Sequence, residues 1–233
     1  MSTARRSITR SAARATLRDA APRGWYPPAK RLGDIGLAGA GLVLASPLWL
    51  VIALAIVLES GFPLFYSREV AGWHGKTFRV LKFRSMRKGN TIVADFDPKH
   101  DPRVTRVGCL LRPTALDELP SLLHILRGEM SFVGPRVLLQ RVEDPADPDH
   151  GRESRTLPRG EFRLLVRPGL TGLAALYAPK NLPYRHKFRY DALYIRRMSL
   201  WLDVKLVAMS FLRTFTRRWE QVQMRGARKP AFP

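Results

Sequence analysis

The apolar run "IGLAGAGLVLASPLWLVIALAIVL", Ile35 to Leu58, limits what this chain can fold into more than any other feature. No charge interrupts it, and as a straight helix it would reach about 36 Å, against a bilayer core of about 30 Å. A membrane helix is expected. A cleavable signal peptide fits poorly, because the stretch is long, lies well inside the chain and lacks a small-residue cleavage site. Ser46-Pro47 falls at its middle. Proline removes a backbone donor and kinks a helix, leaving halves of about 18 Å each. Basic residues flank both ends: Arg23, Lys30 and Arg31 before it, Arg68, Lys76, Arg79, Lys82 and Arg84 after it. Positive charge marks the cytoplasmic side. A helix that enters, breaks and returns satisfies both flanks; a proline-kinked span is the alternative these residues leave open.

The remaining composition points the same way. Lys plus Arg number 40 against 19 Asp plus Glu in 233 residues, a net charge of +21. Such a field favours a polyanionic partner: nucleic acid, anionic lipid or a phosphorylated substrate. The single cysteine, Cys109, excludes an internal disulfide and a cysteine-based zinc site.

Four segments are expected. Residues 1–29 form a disordered basic arm on anionic membrane lipid, ending where tandem prolines in "GWYPPAK" stop any helix. Residues 30–60 form the membrane helix, 61–219 a cytosolic or interfacial catalytic domain, and 220–233 a tail. "FPLFYS" and "KTFRVLKFRSM", with Gly72 and Gly75 between them, read as a two-stranded hairpin. "GNTIVADFDPKHDPR" and "EDPADPDHGRES" read as loops. Thr114 to Leu126, "KFRYDALYIRRM" and "WLDVKLVAMSFLRTFTRRW" read as helices. The last suits either the headgroup plane or ordinary packing on a core. The expected fold class is α+β, with an N-terminal membrane helix, a small helical cytoplasmic domain, a short β-hairpin and interfacial amphipathic helices.

Asp117 and Glu118 open the apolar stretch "LDELPSLLHIL" in this basic chain. One reading is structural: Thr114-x-x-Asp117 resembles a capping box, and acids in a first turn favour the helix dipole by about 0.3–1 kcal/mol each. Arginines supply a second reading. Arg112 lies just upstream, Arg136 in "SFVGPR" and Arg167 in "VRPGLTG", the last two beside Gly and Pro that fix the backbone. Guanidinium groups bind phosphate through paired hydrogen bonds. An aspartate can attack phosphorus, and magnesium takes one or two carboxylates plus substrate phosphates.

Taken in order, "KRLGD", Ser46-Pro47, "KTFRVLKFRSM", "LRPTALDELPSLLHILRGEMSFVGPR", "VRPGLTG" and "YDALYIRRMSLWLDVKL" resemble the monotopic phosphoglycosyl transferases, the bacterial sugar transferase family. The resemblance implies transfer of a sugar phosphate from a UDP-sugar to polyprenyl (undecaprenyl) phosphate, releasing UMP, as a first membrane step of glycan or exopolysaccharide assembly. It implies Asp117 as nucleophile carrying a covalent phosphosugar, and Glu118 as base or Mg2+ ligand beside it. Arg112, Arg136 and Arg167 are then phosphate-binding residues. Lys82 pairs with the dyad, and Asp191 matches a family acid. The Ser46-Pro47 break implies re-entry, hence a monotopic protein on the cytoplasmic face of a bacterial inner membrane, in the small form of the family. Four positions depart from the family's pattern. His124 stands where Asn is usual, Glu129 for Asp, Val137 for Pro and Val70 for Arg. A membrane-bound phosphatase, a non-catalytic basic scaffold and a nucleic-acid binder are the rival classes. The apolar run and the lack of a nucleic-acid motif count against the last.

Overall fold

A computed structural model of the protein describes residues 26–87, 103–139, 148, 150–153, 160–179 and 182–215. Residues 1–25 of the expected basic arm, almost all of the first loop, most of the second and the tail lie outside them; residues 26–29, expected in the arm, belong to the first helix.

The apolar run forms the core of one helix, α1 (Tyr26–Ser60, 35 residues). Pro27 and Pro28 do not stop it. They occupy its first turn, where the missing N–H has no intrahelical partner to lose and φ is already helical. Pro47 lies inside the helix. Its absent N–H would have bonded the carbonyl of Val43, and the Ser46 hydroxyl donates to that same carbonyl at 2.8 Å. Ser-Pro is thus a self-repaired break: proline removes a donor and the preceding serine restores one.

Both ends of α1 grip the same domain. In the first turns Lys30 Nζ lies 2.8 Å from Asp203 Oδ2. Arg31 donates to the carbonyls of Ile125 and Leu126, and Asp34 accepts the N–H of Phe132 at 3.1 Å. The charges of "KRLGD" therefore dock three separate elements. Ala38 is buried with Leu122 and Ile125. Beyond the proline, Ile52 and Ile56 bury against Phe83 and Leu111, and Trp49 meets the rings of Phe65 and Phe83. Glu59 accepts the N–H groups of Arg106 and Val107, while Arg84 donates to the carbonyls of Ser60 and Gly61. Val43, Leu44, Leu50, Val51, Leu54 and Leu58 remain exposed.

The hairpin forms as expected. β1 (Phe65–Ala71) pairs antiparallel with β2 (Thr77–Phe83), from Phe65 opposite Phe83 to Ala71 opposite Thr77. The loop uses left-handed backbone at His74 and Gly75. The stretch expected as one helix from Thr114 to Leu126 is broken. A short helix α2 (Arg106–Leu111) precedes it, a 3₁₀ turn covers Leu116–Glu118, and α3 runs from Ser121 to Arg127. Pro120 separates the last two because it cannot continue a hydrogen-bonded turn. Next come β3 (Ser131–Val133), β4 (Leu138–Leu139), a 3₁₀ segment (Glu161–Leu165) and β5 (Gly169–Thr171). β4 adds to the hairpin in the order β2-β1-β4, and β3 pairs parallel with β5. α4 (Leu173–Tyr177), α5 (Tyr184–Arg197) and α6 (Leu200–Phe215) complete the order.

The main core gathers Val133, Phe162, Leu173, Leu176, Tyr194, Ile195 and Leu206. Tyr194 ties it to the base of α1, donating to Val133 O at 3.0 Å and to Asp203 Oδ1 at 2.7 Å. α6 packs one face on the core, with Leu206 and Asp203 buried, and leaves Trp201, Val204, Phe211 and Leu212 exposed on the other.

Candidate active site

The carboxylate pair sits in the turn between α2 and α3, not in the first turn of a helix. Thr114 is not a cap for it. Its hydroxyl donates backward, to Leu110 O at 2.7 Å and Leu111 O at 3.0 Å, closing the end of α2. Ala115 then adopts a left-handed conformation at φ +54, which reverses the chain and presents Leu116–Glu118 as a separate turn. Such backbone is uncommon outside glycine and persists where the surroundings hold it. Leu116 and Leu119 provide that hold by packing into the cluster of Ile52, Ile56, Phe83 and Leu111. The long apolar helix α1 thus buttresses the turn that carries both acids.

Asp117 is largely withdrawn from water, and its pKa is pushed up to about 6. Burial is the main cause. Glu118 adds to it, while Lys82 and Arg112 oppose it. Lys82 donates directly to Glu118 Oε1, reaching from β2 across to the turn. Four of the expected site residues therefore converge: Asp117, Glu118, Lys82 and Arg112.

Arg167 meets the chain elsewhere. Its Nε donates to Gly128 O at 2.8 Å, and its guanidinium lies 4.1 Å over the Trp73 ring. Gly128 follows α3 and the dyad precedes it, so the two are separated by the length of that helix, about 10 Å. Burial and the neighbouring charge of Arg31 lower the pKa of Arg167, with Asp34 opposing. Two guanidiniums thus share one corner.

Asp191 and Arg136 form a third group. Asp191 is buried against Arg163, Nε to Oδ2 at 2.8 Å, with Arg163 also 4.2 Å over the Phe188 ring. Desolvation pushes the acid up and the arginine down, their mutual attraction opposing both. Arg163 donates to the carbonyl of Arg136, and Arg136 also lowers the pKa of Asp191. The pair therefore fixes the backbone at Arg136 and leaves that side chain exposed. Glycines complete the anchor. Gly169 N–H donates to Pro135 O at 2.8 Å, and a Cβ on Gly169 would fall 2.1 Å from Gly134 N. Only a bare backbone permits "VGPR" and "RPGLTG" to lie this close.

Sequence reasoning passed over Arg163, Arg31 and Trp73 as parts of the site. A signal existed for the first: Arg163 interrupts the apolar stretch Phe162 to Val166, and a buried charge requires a partner. Arg31 lies in the quoted motif "KRLGD" without a role given to it, and nothing local marks Trp73. Among the described residues, no three His, Cys, Asp or Glu side chains gather as a metal cluster. Two adjacent carboxylates are the donor set that magnesium completes with substrate phosphates.

A partly buried carboxylate of raised pKa, beside a lysine-held glutamate and under the charge of Arg112, is the candidate active site of this chain. The chain belongs to the bacterial sugar transferase family, whose model matches residues 25–217. It is 38% identical over 197 residues to the UDP-glucose:undecaprenyl-phosphate glucose-1-phosphate transferase of Klebsiella pneumoniae, covering 80% of this chain and 40% of that protein. It is 36% identical over 195 residues to the exopolysaccharide production protein ExoY of Rhizobium meliloti, covering 77% and 82%. A third relative, 38% identical over 186 residues, is the UDP-N-acetylgalactosamine-undecaprenyl-phosphate N-acetylgalactosaminephosphotransferase of Aeromonas hydrophila, covered to 42% of its length. The chain thus spans about two fifths of the first and third relatives and about four fifths of the second.

Proposed function

We propose that this protein transfers a sugar 1-phosphate from a UDP-sugar to undecaprenyl phosphate, through a covalent intermediate on Asp117. The observation that carries the reading is the carboxyl of Asp117, raised to about 6 and set between Lys82, Glu118 and Arg112. At neutral pH it is mostly ionised yet more basic than an ordinary aspartate, which suits a nucleophile. Its carboxylate oxygen attacks the phosphorus that bears the sugar. The bond from that phosphorus to the bridging oxygen breaks, and UMP leaves with the electron pair. The resulting acyl phosphate is attacked at the same phosphorus by an oxygen of undecaprenyl phosphate. The carboxylate departs unchanged, and undecaprenyl-diphosphate sugar forms.

Lys82 keeps Glu118 from adding its full repulsion to the incoming diphosphate. Arg112 adds positive charge where charge develops. Arg167, held about 10 Å of helix away from the dyad, and Arg136, exposed on a backbone that Arg163 holds, suit further groups of an extended nucleotide sugar. Magnesium, when bound, would be held by Asp117 and Glu118 and would offset phosphate charge.

We read α1 as re-entrant. Its side chains grip the domain up to Leu42 and again from Trp49. The free stretch between is only about 9 Å of helix, against about 30 Å of bilayer core. Such a protein dips into one leaflet of the inner membrane from the cytoplasmic face. The exposed Trp201, Val204, Phe211 and Leu212 of α6 suit the headgroup boundary, and the basic surface suits anionic lipid.

The test is UMP release across a panel of UDP-sugars, with and without undecaprenyl phosphate. Sustained release with lipid-extractable sugar, only when the acceptor is present, is expected. Sustained release of sugar phosphate into water without acceptor would replace the transferase by a phosphatase.

A further inference from the structure

β2 is an edge strand, since the sheet order is β2-β1-β4. In an antiparallel strand, the N–H and C=O of one residue point to the same side. Leu81 turns both toward α3. The Ser121 hydroxyl donates to Leu81 O at 3.4 Å, and His124 Nε2 accepts the Leu81 N–H at 3.1 Å. Ser121 and His124 are three residues apart, hence on one helix face. Side chains of α3 thus replace the missing strand.

An N–H can donate to Nε2 only if that nitrogen carries a lone pair, so the proton of the neutral ring sits on Nδ1. Nδ1 faces Glu129 Oε2 at 2.6 Å. Glu129 reaches it because left-handed Gly128 turns the chain back over the helix end, with the N–H groups of Glu129 and Met130 both bonded to His124 O. The ring is 2% exposed and lies 5.4 Å from the ring of Phe78. One buried side chain therefore fastens a strand to a turn. The residue after Leu81 is Lys82, which holds Glu118. The turn's Gly128 carbonyl holds Arg167. His124 is the brace between the dyad's lysine and the remoter arginine.

We infer that His124, oriented by Glu129, is a positioning residue that sets Lys82 against the catalytic dyad. The inference rests on the transferase reading. It also gives a joint meaning to two departures from the family pattern, His124 and Glu129, which stand in direct contact.

The experiment is a double-mutant cycle on the full chain in lipid nanodiscs. Single-turnover formation of the Asp117 adduct is followed with the UDP-sugar that supports UMP release. His124→Ala is expected to slow it roughly tenfold to hundredfold, the cost of a misplacement of about 1 Å, with a smaller change in KM. In a Lys82→Gln background the same substitution should add less than about twofold, because its route is already cut. His124→Gln, whose amide oxygen can accept the Leu81 N–H in place of Nε2, should stay within about threefold of the parent. Leu81 amide exchange should quicken in His124→Ala and not in His124→Gln. Multiplicative losses across the cycle, or His124→Gln as impaired as His124→Ala, would overturn the inference. If His124→Ala does not fold, Glu129→Ala, at a side chain 37% exposed, carries the same cycle with a smaller expected loss. A wild-type protein that forms no adduct would instead remove the covalent reading, and this inference with it. Unchanged Leu81 exchange in His124→Ala would refute the brace whatever the chemistry.

Discussion

Replacing Asp117 by asparagine should make the folded protein more stable. The carboxyl of Asp117 is raised from its ordinary 3.8 to about 6, mainly by burial. Each unit is about 1.36 kcal/mol, so ionised Asp117 costs the folded state about 3 kcal/mol, and about 1–3 kcal/mol after allowance for its partial exposure. The sign follows from linkage. A pKa raised on folding means that the folded state prefers the neutral acid. The penalty is absent below 3.8, grows as pH rises and is complete above about 6. Asparagine is neutral throughout and of similar size. Asp117→Asn should therefore match the wild type near pH 3.5 and exceed it at pH 7.5. For a chain of this size, each kcal/mol shifts the melting midpoint by about 2–4 °C, so a gain of several degrees is expected at the higher pH. The assay is thermal unfolding in detergent with chelator, across that pH range, for both proteins. A less stable Asp117→Asn at pH 7.5, or a difference that ignores pH, would refute the reasoning.

Asp191→Ala leaves Arg163 buried without its partner and should destabilise by about 3–5 kcal/mol, read by denaturant unfolding; a loss below about 1 kcal/mol would deny the pair its anchoring role. Turnover should fall in excess chelator and return with magnesium; full activity in chelator would refute a metal requirement. In a Cys109→Ser background, cysteines introduced at residues 20 and 90 should react alike with an impermeant thiol reagent; opposite sidedness would exclude re-entry. Pro47→Ala should push α1 toward a full span in the same labelling assay.

Local chemistry was legible and long-range convergence was not. The hairpin followed from alternation and its glycines, and Lys82 lies against Glu118, as the family resemblance implies. The capping box at Thr114 was misread because Ala115 reverses the chain through a left-handed conformation that no propensity favours. Tandem prolines near residue 27 were read as a stop, though the same fixed φ suits a helix start. The arginines expected to bind phosphate are held in different ways: Arg112 acts on Asp117, Arg167 caps the turn at Gly128, and Arg136 stands on a backbone held by Arg163. Those assignments depend on partners many residues distant, such as Arg31 on Ile125 and Trp73 under Arg167, which no local pattern encodes.

The proposed covalent transfer through Asp117 is read from intact-protein mass after incubation with a UDP-sugar and no acceptor, followed by peptide mapping. An added sugar phosphate on Asp117 is expected, discharged when undecaprenyl phosphate is supplied and absent from Asp117→Asn. Turnover that proceeds with no adduct, or an Asp117→Asn protein that still turns over, would contradict it.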